Sequence, residues 1–232
     1  IDDSIYKSKE GKLDPSQIWR GYYLNDQRIF TKERKDSLGN MNVNILLDSS
    51  ASQKDRQEIV ASQGYIISES LNRAKIKHRI WTFSSMKGYT ILTLLKDYND
   101  KDNKNIFTYF ATAANRDGLA IKTILYLEDK SIDENQTLII LTDGKPNDER
   151  ININTNIDKS IEQYTGNKAL INTASEIRKG RNTGKSILGV FYGEDKDIDK
   201  AKFIYGNNFA RIKNFETFSD IVGKFLKEEI KK

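Results

Sequence analysis

No cysteine occurs among the 232 residues, so disulfides, thiolate metal sites and cysteine nucleophiles are excluded. There is a single histidine. This residue, His78, sits in "KIKHRIWTF", which reads as the start of a strand and not as a catalytic loop. A Ser-His-Asp triad and a histidine-rich zinc site are both disfavoured by that count. Long apolar runs are missing too: none approaches the roughly 18 residues that a bilayer-spanning helix needs. With 31% of residues charged, a soluble chain is expected, with no membrane partner. Nor is there a strong charge of one sign. The net charge of +5 is spread over interspersed acidic and basic residues, which argues for solubility and against nucleic-acid binding. The chain opens at Ile1 with neither a basic nor an apolar leader segment, so a fragment of a longer protein without a signal peptide is expected. The missing cysteines fit a reducing, cytoplasmic setting.

The length suits one domain with a buried core and at most a substantial extension. Residues 1–40 are polar but carry Trp19, Tyr22, Tyr23, Ile29 and Phe30, too aromatic for a free linker. They are expected to form an arm that packs on, or docks to, the domain over 41–232. From Val43 onwards strand and helix signals alternate. "VNILLD" is an apolar run of strand length. "KDRQEIVASQGYIISESLNRA" follows with Ile59, Val60, Ile66, Ile67 and Leu71 at helical spacing, and Asp55 and Glu58 stand three apart as at a helix start. "HRIWTFSS" predicts a second strand and "YTILTLLKDY" a third at the sheet edge. "GLAIKTILYLEDK" predicts a helix with Ala120, Ile121, Ile124 and Leu127 on one face. "QTLIILTD" is apolar on both faces, as the centre of a covered sheet requires. Helix "KALINTASEIRKG", strand "KSILGVFYG", helix "DIDKAKFIYG", strand "FARI" and helix "FSDIVGKFLKEEIKK" complete the series. Such alternation predicts an α/β fold, a Rossmann-like, doubly wound, mostly parallel sheet flanked by helices.

In sheets of that kind ligands bind beyond the carboxyl ends of the strands. Two of those ends carry chemistry. "LLDSSAS" sets Asp48, Ser50 and Ser52 at alternate positions, and "ILTDGKPND" sets Thr142, Asp143 and Gly144 at the equivalent edge. Carboxylates and hydroxyls are hard oxygen donors, suited to magnesium or manganese and not to zinc or copper. Each motif alone has a plain alternative, helix capping for the first and a common turn for the second. Their joint occurrence at two strand ends favours a metal site.

"DSSAS" before a helix and "LTDG" ending a later strand resemble the metal-ion-dependent adhesion site of von Willebrand factor A domains, over about residues 41 to 232. The resemblance implies that Asp48, Ser50, Ser52 and Asp143 hold the ion. "LTDGKPND", "IEQYTGNKALINTASEIRKG", "ILGVFYG" and "YGNNFARIKNFETFSDIVGKFL" further resemble the C-terminal domain of NorD-like proteins, which activate nitric oxide reductase, and of CobT-like relatives. That implies a partnership with a MoxR-type or related AAA+ ATPase in the maturation of metalloenzymes or in metal chelation. Family members supply a threonine from the middle loop, whereas "ANRDGLAI" places Asn115 there. Asn115 can offer a carbonyl oxygen directly or through water. Asp117 is expected behind it, since a third inner carboxylate would exceed the ion's two charges, though it equally suits a helix start. Lys145 and Asp148 are candidate rim contacts.

The expected function is therefore magnesium-dependent grip on a partner's Asp or Glu, without catalysis. The alternative is a magnesium-dependent hydrolase or phosphotransferase with Asp48 as nucleophile, which would call for a second carboxylate where Ser50 stands. "GRNTGKS" lacks the first glycine of a phosphate-binding loop and precedes a strand, so it reads as a plain loop.

Overall fold

The computed structural model describes residues 5–8, 11–24, 29–33, 41–128, 135–152, 160–214 and 217–230. The chain divides into two compact units, Ile1–Leu38 and Gly39–Lys232. In the first, β1 (Ile5–Ser8) and β2 (Lys12–Leu13) lead into a 3-10 turn over Pro15–Gln17 and then α1 (Ile18–Leu24). Asp14 starts that turn by accepting from the Ser16 amide at 3.0 Å, and Pro15 follows where its missing N–H costs nothing. The last strand, β3 (Phe30–Glu33), lies between β1 and β2 and is antiparallel to both. Trp19, Tyr22 and Tyr23 expose their rings.

The second unit runs β4 (Met41–Asp48), α2 (Gln57–Arg73), β5 (Lys77–Met86), β6 (Tyr89–Lys96), α3 (Asp117–Glu128) and β7 (Asn135–Thr142). It continues with β8 (Asp148–Asn152), β9 (Ser160–Tyr164), α4 (Gly166–Asn182), β10 (Ser186–Phe191), α5 (Ile198–Tyr205), β11 (Phe209–Arg211) and α6 (Phe218–Ile230). Six strands form one sheet in the order β11-β10-β7-β4-β5-β6. All neighbours are parallel except β6, which returns antiparallel along β5. That return is a two-residue turn in which Lys87 (φ 53°) and Gly88 (φ 86°) both take the left-handed conformation that tight hairpins need.

Burial follows from position in the sheet. Every residue of β4 and the last six of β7 are buried, because helices cover both faces of these central strands. On one side α3, α4 and α5 pack together over Leu46, Ile121, Ile140, Ile177 and Ile187; on the other α2 meets α6. Gly64 lets α2 come close, since a Cβ there would stand 3.3 Å from Ile106 and 3.4 Å from Leu47.

Three sequence expectations are corrected. Helix α2 starts at Gln57, and Asp55 does not cap it: a 3-10 turn over Ala51–Arg56 carries the chain out of β4 first. Its apolar face is Val60, Ala61, Ile67 and Leu71, while Ile59 and Ile66 are exposed. In α3 the face toward the sheet takes Leu125 with Ile121 and Ile124, and Leu127 turns outward. The hairpin β8–β9 had no expectation at all, because "DERIN" and "SIEQY" lack the apolar alternation of a core strand.

Candidate metal centre

Strand β4 delivers Asp48 to the carboxyl edge of the sheet, and the chain then leaves under tight control. Both the amide and the Oγ of Ser49 donate to the Phe83 carbonyl, at 2.9 and 2.8 Å, while the Ser49 carbonyl accepts from the Thr112 amide at 2.7 Å. The Ser50 amide turns back to donate to Asp48 Oδ1 at 2.8 Å, and the Ser50 and Ser52 hydroxyls lie 2.9 Å apart. Asp48 and Ser50 are buried and Ser52 is exposed, so the three oxygens lead from the interior to the surface. Tyr109 donates its hydroxyl to the Asp48 carbonyl at 2.5 Å, holding the end of the strand in place.

The middle loop reaches the same point. Ala113 takes φ 58°, a left-handed conformation that is unusual for alanine. It turns the chain so that Ala114 bonds reciprocally with Ser85 and Asn115 with Asn147. The side chain of Asn115 donates from Nδ2 to Asp48 Oδ2 at 3.2 Å and accepts at Oδ1 from the Asn147 amide at 3.0 Å. Its carbonyl oxygen is thus engaged by the backbone, and a donor faces the carboxylate. Asp117 opens α3 and is wholly buried; Thr142 donates to its Oδ2 at 3.2 Å, and its Oδ1 has no hydrogen bond.

Strand β7 supplies the rest. The Gly144 amide donates to Thr142 Oγ1 at 3.0 Å and the Lys145 amide to Asp143 Oδ1 at 3.1 Å, so a turn at Gly144 (φ 69°) presents both side chains. Sequence reasoning marked Asp48, Ser50, Ser52, Asn115, Asp117 and Asp143, and the fold brings their loops to one edge. It missed Tyr109, Thr142 as a bonding partner, and Asn147. Only Thr142 carried a local signal, through its place beside Asp143. The candidate rim residues diverge: Lys145 Nζ turns to Asp197 at 2.9 Å, and Asp148 lies 3.4 Å from Arg116 Nε.

Electrostatics sets this edge apart. Burial, then the charges of Asp143 and Asp117, pushes the Asp48 carboxyl well above the carboxylate range. Burial and then Asp143 push Asp117 up to about 7. No basic side chain figures among the groups acting on either. Buried like charges without a counterion are costly, and a divalent cation removes that cost. The donors fit one: all are oxygens, and the buried Oδ1 of Asp117 lacks a partner. Among the described residues no three His, Asp or Glu side chains converge tightly enough to hold a metal alone, so the hydroxyls of Ser50 and Ser52 would have to share the work.

Neither a protein-family model nor a curated protein matches the chain. Solved structures do. The pilus adhesin SpaC from Lactobacillus rhamnosus GG superposes with a TM-score of 0.61 at 14% identity, over 82% of this chain and 30% of SpaC. The chain therefore spans less than a third of that adhesin. The vWF domain of the type V pili tip protein Mfa5 from Porphyromonas gingivalis gives 0.61 at 11% identity, over 82% of this chain and 95% of that domain. Manganese-loaded TRAP from Plasmodium vivax gives 0.57 at 16% identity, covering 80% and 73%. With its strand order, its flanking helices and these neighbours, the second unit has the von Willebrand factor A fold.

Proposed function

We propose that the domain is a protein-binding module that holds Mg2+, or Mn2+, through Asp48, Ser50, Ser52 and Asp143 and offers the ion to a carboxylate of a partner. The observation that carries this reading is the cluster of buried acids in which Asp143 and Asp117 act on Asp48 and Asp143 acts on Asp117, with one buried Asp117 oxygen left without a hydrogen bond. In this reading Asn115 steadies Asp48 from behind, its oxygen being engaged by Asn147, and Asp117 lies beside the ion with one oxygen in reserve. Such an ion polarises and attracts an incoming carboxylate and calls for no general base. The domain is therefore expected to bind and not to turn over substrate.

The sequence resemblance to NorD-like and CobT-like proteins makes a MoxR-type AAA+ ATPase in the cytoplasm the first partner to test. A second reading, an adhesive module, is favoured by neighbours that are a pilus adhesin, a pili tip protein and a minor pilin. Pull-down of the ATPase by wild type, by wild type in chelator and by Asp143→Ala tests the first reading. Loss of about thirtyfold or more in affinity is expected in the last two, since removing one partner of a buried charge pair costs about 2–5 kcal/mol. Equal retention in all three would move the contact away from the metal, with the aromatic arm around Trp19 to Tyr23 as the next segment to delete.

A further inference from the structure

A cation stands next to the metal loop and is held away from it. Lys145 follows Asp143 by two residues, and its amide donates to Asp143 Oδ1 at 3.1 Å. Its ammonium turns the other way, to within 2.9 Å of Asp197 Oδ2, with Glu194 Oε1 further off at 3.5 Å. Asp197 ends the 3-10 turn Asp195–Asp197 that leads into α5. Its side chain is 2% exposed, whereas that of Glu194 is 60% exposed and also pairs with Lys196. Water screens Glu194, so Asp197 is the partner that decides where the Lys145 ammonium rests.

Close packing brings the two together. After β10 the Tyr192 amide donates to the Thr142 carbonyl at 3.0 Å, which ties this segment to the end of β7. Gly193 then passes so near that a Cβ there would stand 3.1 Å from the Asp143 carbonyl oxygen, and a Cβ on Gly144 would stand 3.3 Å from the Phe191 ring. These two positions without side chains let the start of α5 lie alongside the metal loop. Lys200 donates to the other Asp197 oxygen, Oδ1, at 2.7 Å, so each oxygen of the buried carboxylate faces one lysine.

The contact with Asp197 holds the Lys145 ammonium above its ordinary range against the opposing effect of burial, and the charges of Asp197, Glu194 and then Asp143 add to it. Asp143 thus pulls on the same ammonium. Asp197 Oδ2 makes no aligned hydrogen bond, so charge and not direction keeps Lys145 in place. A lysine ammonium is a point charge on a flexible stem, and rotation of that stem can carry it toward Asp143 with the backbone unmoved.

We propose that Asp197 is a positioning residue for the metal centre: it keeps the Lys145 ammonium off the acid cluster, and where its charge is lost Lys145 turns onto Asp143 and takes the place of the ion. The proposal rests on the preceding reading in taking that cluster as the metal site. The same buried acids then have two possible cations, an external divalent ion and an internal ammonium, and Asp197 selects the first.

The test measures magnesium binding by titration calorimetry in the whole chain as wild type, Asp197→Asn, Lys145→Gln and the double variant Lys145→Gln/Asp197→Asn. Asp197→Asn keeps the shape of the side chain and removes its charge. With Lys145 on the acids in about nine molecules of ten, magnesium affinity falls about tenfold, because the apparent dissociation constant scales inversely with the competent fraction. The double variant should regain the affinity of Lys145→Gln, since the loss acts through Lys145 alone. Equal affinity in wild type and Asp197→Asn would overturn the proposal, as would a loss that persists in the double variant.

A second measurement needs no metal. In NMR spectra of the metal-free proteins the Asn115 side-chain amide, which donates to Asp48, should shift in Asp197→Asn and return in the double variant. Wild type that binds no magnesium would sink the preceding reading, while these metal-free shifts still support or overturn the movement of Lys145. Should Asp197→Asn fail to fold, wild type alone decides. Its Lys145 ammonium signal, assigned by its loss in Lys145→Gln, should barely move on addition of magnesium, and a large displacement would show that it rests on the acids and overturn the proposal.

Discussion

At the end of the sheet where β5 begins, buried charge is met by charge. Arg79 donates to Asp97 at 2.6 Å, lies 3.7 Å from Glu128 and stacks on Tyr98 at 4.0 Å. Lys96, which is buried where Arg79 is half-buried, donates to the carbonyls of Asp97 and Asp100 at 2.9 and 3.3 Å. At the opposite end, where β4 and β7 finish, the hydrogen bonds to the side chains of Asp48, Asp117 and Asp143 come from hydroxyls and amides, and Lys145, whose ammonium is bonded to Asp197, is the basic group that acts on Asp143. Both ends bury ionisable groups in one domain, so burial alone does not mark a site. What marks it is like charge on like charge, Asp143 and Asp117 acting on Asp48 and Asp143 on Asp117, whereas a network with both signs present is complete by itself.

The largest expected effect separates the two ends by ligand. Asp48→Ala should abolish magnesium binding in titration calorimetry, whereas Arg79→Ala should bind with wild-type affinity. Equal affinity for wild type and Asp48→Ala would place the ion elsewhere. Arg79→Ala should instead lower stability by about 2 kcal/mol in urea unfolding: it strands the buried Glu128, while water screens the half-exposed Asp97.

The acidic end should respond in the other direction. Asp117→Asn keeps the shape of the side chain and an oxygen to accept from Thr142, and removes one of the like charges. It is expected to raise metal-free stability by about 1 kcal/mol while weakening magnesium binding. The sign with pH follows from the raised carboxyl of Asp117. Folded, it keeps its proton up to about 7; unfolded, it ionises near 3.8. Its contribution is full below the lower value and is lost as pH rises through the higher. Metal-free stability should therefore decline across that window in wild type relative to Asp117→Asn, and magnesium affinity should climb over the same range. Parallel melting curves for the two proteins across pH would refute this.

His78 should act with the opposite sign. Burial lowers it from 6.5 to about 4, and it bonds the Ile76 carbonyl through Nδ1 and Ser68 through Nε2, at 2.9 and 2.7 Å. The unfolded imidazole takes up a proton first, so stability is lost as pH falls from about 6.5 through about 4. Its ring resonances should stay constant above about pH 5.

Much of the fold was legible in local pattern. Strands β4 and β7 announced themselves as apolar runs, α4 and α6 took their places in the alternation of strand and helix signals, and β6 was expected at the sheet edge. Asp48, Ser50, Ser52 and Asp143 could be singled out because strand ends are where such sheets bind ligands, and each motif is complete within a few residues. The hairpin β8–β9 escaped because its residues are polar, and the start of α2 was misplaced because Asp55 lies within a 3-10 turn that precedes the helix. Asn115 could be named but not assigned a task. Its oxygen is engaged by Asn147, 32 residues further on, and its amide by Asp48, 67 residues back. Arg116 gave no sign of its bed on Tyr164. Periodicity reports what a residue does within its own helix or strand. Which carboxylates share an edge depends on strand order and on loops meeting across the sheet, so only the tertiary structure decided it.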